Sequence, residues 1–589
     1  MRAQFRIRIR IILAGIVLAS LLIVARLYFV QIVHGDDYSQ KADQQFASGS
    51  SGLFDRGSIY FTRKDGTLIS AAALADGFLV AINPQTLGNP EDAFSVINSI
   101  ASSSLSLSHD AFITAAGKKS QVYIEVAHHL TSDEGKSLSA LQIKGIQVLK
   151  ERWRYYPGGT LASQSIGIVS YGSGDTLTGQ TGIEDVYNEA LSRSGDSLYK
   201  NFFAELFSNV GNLLVSARDA REGDVVTTIE PEVQTRLEND IAKVNQKYSS
   251  RESGGIIMDP YTGEIIALTN YPAYDGNDLK NADPSLLGNP LVEQIHEFGS
   301  IMKPLTMTSG LDSGVITPET TYNDTGCFVV NKAKICNWDH KARGVIPMQQ
   351  IIVQSLNVGA SYVATQLGQE KFHDYFTKLF GQKTGVDLPS ESGGMTGNLS
   401  KSEQVYYDNM SFGQGIAVTP MQMIRALGAI ANGGFMVQPH LVSAIRLDSG
   451  ITKQLEWSQK VQVFSATSTR ETITMMDALD DGPLYDGKAK IETMSVAAKT
   501  GTAQLTNGQG GYYDDKFFHS FIGFFPSYNP RFIILLYTQD PKGVKYASET
   551  LDATFLDLVH FLINYYAVPP DRGVARLDPS PQATSTNSR

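Results

Sequence analysis

The first strong signal in the chain is a run without polarity. From Ile11 to Val33 it reads IILAGIVLASLLIVARLYFVQIV, with Arg26 as the only charge. About 20 apolar residues in line suffice to cross a bilayer, so this stretch predicts a transmembrane helix, with Arg26 near enough to its far end to snorkel. Residues 34–222 are mixed. SSGLFDRGSIYFTRKDGTLISAAA alternates strand-like runs around a turn at Asp65-Gly66, and SLSLSHDAFITAAGKK and EVAHHLTSDEGKSLSALQ predict short amphipathic helices, a small α+β region. From Gly223 the texture changes. GDVVTTIEPEVQTRLENDIAKVNQKY predicts a strand, a Pro-Glu helix start and a long amphipathic helix, and SGGIIMDPYTGEIIALTNYP two apolar strands joined at Tyr261 to Gly263. Residues 300–480 are mostly helical by period. ETMSVAAKTGTAQ, HSFIGFFPS and RFIILLYTQD then predict three strands that extend the sheet, and TFLDLVHFLINYYA a closing helix. The tail, residues 570–589, lacks an apolar period and reads as disordered.

Composition and charge narrow this picture. Hydrophobic residues at 42% and charged residues at 19% of a 589-residue chain describe folded globular material with room for several domains. A net charge of −11 without a basic stripe argues against nucleic acid as a partner. The leading MRAQFRIRIR carries four arginines and no acid, which predicts a cytoplasmic N-terminus at residues 1–10 and everything after residue 33 outside the membrane. A cleaved signal peptide would need a small-residue site after the apolar core, and ARLYFVQ offers none. The two cysteines, Cys327 and Cys336, flank a predicted hairpin around NKAK. They are either a disulfide across that hairpin or two free thiols, and without paired histidines they make too few ligands for a metal.

Three short patterns carry candidate chemistry. In HEFGSIMKPLT, Ser300 precedes Lys303 by three positions, a spacing that puts both on one helix face; a serine hydroxyl becomes a useful nucleophile only when a neighbour takes its proton. Gly299 removes bulk before the serine, and Pro304 is tolerated in a first helical turn, leaving the Ser300 N–H available to an oxyanion. The other serine-x-x-lysine, Ser197 with Lys200, sits in a polar stretch and reads as a solvated loop. Lys303 must be neutral to act as a base, which a dry pocket or a second cation would bring about. Lys499 in SVAAKTGTAQ is placed by a buried strand to be that cation. On that strand Gly501 shares its face and is expected to let a substrate backbone approach, while Thr500 and Thr502 offer hydroxyls to a carboxylate and Thr502 a second oxyanion N–H. The other copy, Lys383-Thr384-Gly385, falls in a loop and reads as a structural turn. The third pattern is Ser355-Leu356-Asn357, at a loop or helix start, where one hydroxyl can relay a proton and one amide can orient a carbonyl. Ser-x-Asn at 527–529 and 585–587 sits in a turn and in the tail.

In this order, serine-x-x-lysine, serine-x-asparagine and lysine-threonine-glycine are the signature of penicillin-binding proteins and class A β-lactamases. The chain resembles class B, monofunctional penicillin-binding proteins over nearly its whole length, through ARLYFVQIVHGDDY, FDRGSIYFTRKDGTLIS, RYYPGGTLASQSIGIV, GQTGIEDVYN, MDPYTGEIIALTNYPAYDGND and SFGQGIAVTPMQMIRALGAIANGG. The resemblance implies an α+β protein: one transmembrane anchor at 11–33, a pedestal at 34–222, and a transpeptidase domain at 223–569 with an antiparallel sheet flanked by helices and an all-helical subdomain. It implies a D,D-transpeptidase that cross-links peptidoglycan outside the cytoplasmic membrane and is a target of β-lactams. Ser300 would be the nucleophile and Lys303 its base, with Ser355 and Lys499 assisting proton transfer and Asn357 orienting the acyl donor. Thr500, Gly501 and Thr502 would bind the substrate, and the N–H groups of Ser300 and Thr502 would form the oxyanion hole. It implies no cofactor or metal. Its partners would be stem peptides, a membrane glycosyltransferase of the shape, elongation, division and sporulation class, and divisome proteins.

The Ser-x-Asn pattern looks more like the division type than the elongation type. Phe298 replaces a usual proline and Ile301-Met302 a usual threonine-aromatic pair, changes that keep an apolar wall around the nucleophile. A β-lactamase or β-lactam sensor would share the three patterns, but a β-lactamase also needs a water-activating group, and no acid takes that role from sequence. A catalytically silent divisome scaffold would lack one of the motif residues.

Overall fold

Strands buried over most of their length set the architecture. In the computed structural model, which describes residues 54–171, 177–193, 222–457, 460–480, 490–508 and 510–572, the chain divides into two compact units. The expected membrane segment, Ser197 and Lys200, the Ser-x-Asn at 585–587 and nearly all of the tail lie outside the described residues. Among the described residues no helix is long and apolar enough to cross a membrane.

The larger unit comprises residues 57–73, 155–192 and the chain from 211 onward. Its centre is an antiparallel sheet of β1 (Glu252–Met258), β2 (Ile265–Tyr271), β3 (Ala497–Thr506), β4 (Tyr512–Phe525) and β5 (Phe532–Gln539), in the order β3-β4-β5-β1-β2. Successive side chains go to opposite faces. Ile256, Met258, Leu535 and Tyr537 join the core on one side, and Ile257, Ile534 and Leu536 the core on the other. Both faces are covered, so the central strands read as continuous apolar runs, and each buried aliphatic side chain contributes about 1.5–3 kcal/mol.

Six helices clothe this sheet and build the helical region: α1 (Pro231–Tyr248), α2 (Lys303–Asp312), α3 (Asn357–Phe380), α4 (Pro420–Ala431), α5 (Ala466–Asp480) and α6 (Asp552–Tyr566). α1 starts at Pro231, and the side chain of Glu230 accepts from Val233 N–H at 2.8 Å, the capping that Pro-Glu predicts. Its residues Val233, Leu237 and Ile241 pack with Leu558 and Leu562 of α6 in one core. α4 is buried along its whole length, entered through a capping box of Thr419 and Gln422. α3 is interrupted at Gly368, whose φ of 71° no continuous helix tolerates. Within 300–480 the expected helices are joined by two small hairpins, Thr321–Asp324 with Gly344–Pro347 and Cys327–Val330 with Ala333–Cys336.

The smaller unit contains residues 74–154. Val80, Ile82, Ile97, Phe112, Val126, Leu130 and Leu138 form its core, between strands and the helices Pro90–Ala101, His109–Ala116 and Ser132–Ala140. One expectation is corrected here. EVAHHL is a strand, Ile124–Leu130, not the start of a helix; pairing with Leu68–Ile82 aligns Val80 with Ala127, and the helix begins only after Thr131, which caps it with Glu134. Residues 57–73 and 155–192, read from the sequence with this region, belong to the larger unit.

Candidate active site

The nucleophile candidate sits in a tight turn. Gly299–Met302 is a 3₁₀ turn that runs directly into α2, whose first residue is Lys303. At three residues per turn, positions i and i+3 eclipse, so Ser300 and Lys303 stack more closely than on an α-helix. Gly299 has φ of 61°, and a Cβ there would lie 2.8 Å from the carbonyl oxygen of Thr502 on β3. Glycine is thus required twice, for the left-handed backbone and for the approach of the turn to the strand. Phe298 is fully buried, edge-on to Phe518, and its carbonyl accepts from Ser520 Oγ at 3.0 Å; Ile301 and Met302 are buried as well. The apolar wall expected of these three residues is therefore part of the core.

Four side chains converge at the end of this turn. Lys303 Nζ lies 3.0 Å from Ser300 Oγ, 3.1 Å from Ser355 Oγ and 2.6 Å from the Ser355 carbonyl oxygen. Lys499 Nζ lies 3.1 Å from the same Ser355 Oγ and 2.9 Å from the Thr500 carbonyl oxygen. Both lysines are 1% exposed. Burial, with the charge of Lys499 added, pulls Lys303 well below the usual lysine range. Burial also lowers Lys499, to about 7, against the attraction of Asp552. Two ammoniums cannot both persist around one hydroxyl in so dry a place, so a neutral amine is available beside Ser300. Ser355 itself adopts φ of 54° between the helix Gln349–Val353 and α3. A non-glycine residue held there costs about 1–3 kcal/mol, and the conformation aims both its carbonyl and its hydroxyl at the lysines.

Asn357 opens α3 and lines the same cleft, one of about 1010 Å³ that also holds Ser300, Lys499, Thr500 and Thr502. Its Nδ2 donates to the carbonyl oxygen of Cys336 at 3.0 Å, and Cys336, opposite Cys327 in the hairpin register, is joined to it by a disulfide. That hairpin therefore props the asparagine. His340 stands beside the pair, the one grouping with metal-ligand spacing among the described residues, but the disulfide consumes both thiolates. β3 is the sheet's edge strand, so alternate N–H groups point away from its neighbour toward the cleft.

One assignment is corrected. Gly501 does share the buried face of Lys499, yet a Cβ on it would meet Ser520 Oγ at 2.4 Å and the Phe298 carbonyl oxygen at 2.5 Å. What this glycine admits is the nucleophile's own turn, not a substrate. Thr502 Oγ1 accepts from Ala547 N–H at 3.1 Å, tying β3 to the segment before α6.

The other copies of the motifs lie elsewhere. Thr384 N and Oγ1 both donate to Glu391 Oε1, at 2.6 and 2.5 Å, which makes Lys383-Thr384-Gly385 a structural loop pinned by its buried threonine. Ser527 donates its hydroxyl to Asp477. Two features of the cleft were missed by sequence reasoning. Trp338 and Tyr546 meet edge-on, ring centres 5.9 Å apart, in its wall. Asp552, which lies two residues before the predicted closing helix and was assigned no role, is fully buried against it. An acid at the head of an otherwise apolar helix was the available signal, but a helix start favours acids anyway.

The penicillin binding protein transpeptidase domain matches residues 254–560, just over half of the chain. Stage V sporulation protein D of Bacillus subtilis is 26% identical over 91% of this chain and 82% of its own length. Peptidoglycan D,D-transpeptidase FtsI of Buchnera aphidicola is 26% identical over 96% of each chain. Among solved structures, penicillin binding protein 2X of Streptococcus thermophilus superposes with a TM-score of 0.68 at 22% identity, covering 87% of this chain and 80% of that one. Penicillin binding protein 3 of Mycobacterium tuberculosis, in complex with aztreonam, gives 0.66 at 21% identity, covering 88% and 97%. These two are likenesses of fold. With more than half of its residues matching the domain, the chain belongs to the penicillin binding protein transpeptidase family.

Proposed function

We propose that this protein is a peptidoglycan D,D-transpeptidase that works through an ester on Ser300. The observation that carries the reading is the convergence of Ser300, Lys303, Ser355 and Lys499 on one hydroxyl-lysine network inside the cleft. Ser300 Oγ attacks the carbonyl carbon between the two terminal D-alanines of a stem peptide while neutral Lys303 takes its proton. The oxyanion is received by the N–H groups of Ser300 and Thr502. Collapse breaks the peptide bond, and the leaving amine of D-alanine takes a proton passed from the lysines through Ser355. A stem-peptide amine from a second strand then attacks the ester and restores the serine. Thr500 and Thr502 hold the terminal carboxylate, and the N–H of Asn357 not given to Cys336 orients the donor. A β-lactam follows the first half of this path and stops at the ester.

The likeness to a D,D-transpeptidase of full length, and the Ser-x-Asn pattern, support a role in septal wall synthesis. The apolar run at 11–33 supports a single anchor with residues 1–10 in the cytoplasm and the catalytic unit outside, where it would meet a membrane glycosyltransferase and other division proteins. Covalent labelling by fluorescent penicillin, with the labelled peptide located by mass spectrometry, tests the chemistry. Label on Ser300 that is lost in Ser300→Ala and decays over hours is the expected result. Rapid decay would replace the reading with a β-lactamase, and no label on a folded protein with a silent scaffold. Protease accessibility of the full chain in sealed vesicles tests the topology.

A further inference from the structure

Asp552 is an ionisable group the reaction above does not use. It is the first residue of α6, has no exposed surface, and lies in the wall of the cleft that holds Lys499, Ser355 and Ser300. Among the described residues neither carboxyl oxygen has a hydrogen-bond partner. A carboxyl buried without a partner is costly, and such a cost persists only where the group does something besides hold the fold. Its position is fixed from three directions. Thr502 Oγ1 accepts from Ala547 N–H at 3.1 Å, and His519 on β4 reaches Thr550 Oγ1 at 3.1 Å and the Lys545 carbonyl oxygen at 2.9 Å.

We propose that Asp552 is a positioning residue for the acyl transfer, which holds the ammonium form of Lys499 and so leaves Lys303 as the lysine that is neutral. The proposal rests on the reading of Ser300 and Lys303 given above. Two lysines around one hydroxyl are nearly equivalent by contact, and something must decide which of them carries the charge. With Lys303 neutral, Lys499 protonated and Asp552 ionised, the three buried groups sum to zero, the state a dry cleft tolerates best. The field of Asp552 acts on Lys499, raising its proton affinity, and Lys499 in turn lowers that of Lys303; burial pushes the Asp552 carboxyl up, and the ammonium of Lys499 pulls it back down. Other ionisable groups stand on the elements against α6. His519 on β4 is held neutral by burial, at about 4; in the turn before α6, Glu549 accepts from the Lys545 and Tyr546 N–H groups, and the Lys545 ammonium lies over the Tyr546 ring at 5.4 Å. On α1, Arg236 lies over Phe561, beside the later turns of the helix.

The test is the pH profile of acylation by fluorescent penicillin, from about pH 5 to about pH 10, for the wild type, Asp552→Asn, Asp552→Ala and Asp552→Glu in the full chain. Without the carboxylate, Lys499 loses its proton at lower pH, which pulls in the alkaline limb. Lys303 then faces no cation and holds its proton to higher pH, which pushes up the acid limb. The expected result is a bell narrower by about one pH unit, with acylation about tenfold slower at neutral pH, in both Asp552→Asn and Asp552→Ala, and width restored toward wild type in Asp552→Glu. A bell of unchanged width, whatever its height, would overturn the proposal, as would failure of both neutral variants to fold, since the carboxyl would then be structural. Ser300→Ala is run alongside: label that survives it defeats the serine assignment itself, whereas unchanged width with label confined to Ser300 defeats only the role of Asp552.

Discussion

Lys-Thr-Gly occurs twice in the larger unit, and the two copies share three residues and nothing else. At 383–385 the triplet closes a loop after α3, and the threonine spends both its N–H and its hydroxyl on buried Glu391. At 499–501 it lies on an edge strand, where the lysine is buried beside a second lysine and the glycine is pressed under the nucleophile's turn. The same letters are a clasp in one place and chemistry in the other. What separates them is the partner each strand or loop offers: a carboxylate that satisfies the threonine, or a hydroxyl shared by two amines.

The comparison can be broken most forcefully at the lysines. Lys499→Ala should lower the rate of penicillin acylation by about 10²–10⁴-fold, whereas Lys383→Ala should leave it unchanged; equal losses in stopped-flow labelling would erase the distinction. Gly299→Ala should come next. It forces a Cβ onto the Thr502 carbonyl at positive φ, which should destabilise the unit by about 2–4 kcal/mol in denaturant melts and slow labelling of the folded fraction. Thr384→Val removes the donor hydroxyl from buried Glu391 and should cost about 1–3 kcal/mol of stability with labelling per folded molecule intact, the converse of Lys499→Ala. Stability should also follow the buried lysines. Both have folded proton affinities below their unfolded ones, so the unfolded chain binds more protons, and stability rises as pH climbs from about 7, where Lys499 titrates, toward the ordinary lysine range. Melts of the wild type and Lys499→Met over that window should show the slope flatten in the variant. Smallest is Lys383→Ala itself, expected within about 0.5 kcal/mol of wild type.

Much of the sheet was legible because a strand buried on both faces carries an unbroken apolar run, as Ile256–Met258 in β1 and Phe532–Tyr537 in β5 do. The three motifs were legible by their order along the chain, although each occurs more than once. Other features were not. EVAHHL has no strict alternation, and only its pairing with Leu68–Ile82 makes it a strand. The reason for Gly501 depends on what crosses the strand, and residues 298–301 cross it from 200 positions away in the chain, a contact that no local pattern encodes. Asp552 falls just before the predicted closing helix, where nothing in the local pattern marks it. That its carboxyl finds no hydrogen-bond partner among the described residues is a property of the packed wall around it, not of the residues beside it in sequence.

The close approach of Gly299 to Thr502 also has a mechanical side. Backbone packed on backbone at that distance, with Gly501 seated under Phe298, makes the nucleophile's turn and β3 a single stiff jaw. In the wall of the cleft, Trp338 and Tyr546 meet through one edge-on ring contact, worth about 0.5–1.5 kcal/mol. A bulky ligand therefore gains room by parting two rings, at a cost comparable to thermal energy, while the distance between the attacking oxygen and the strand that receives the substrate stays the same.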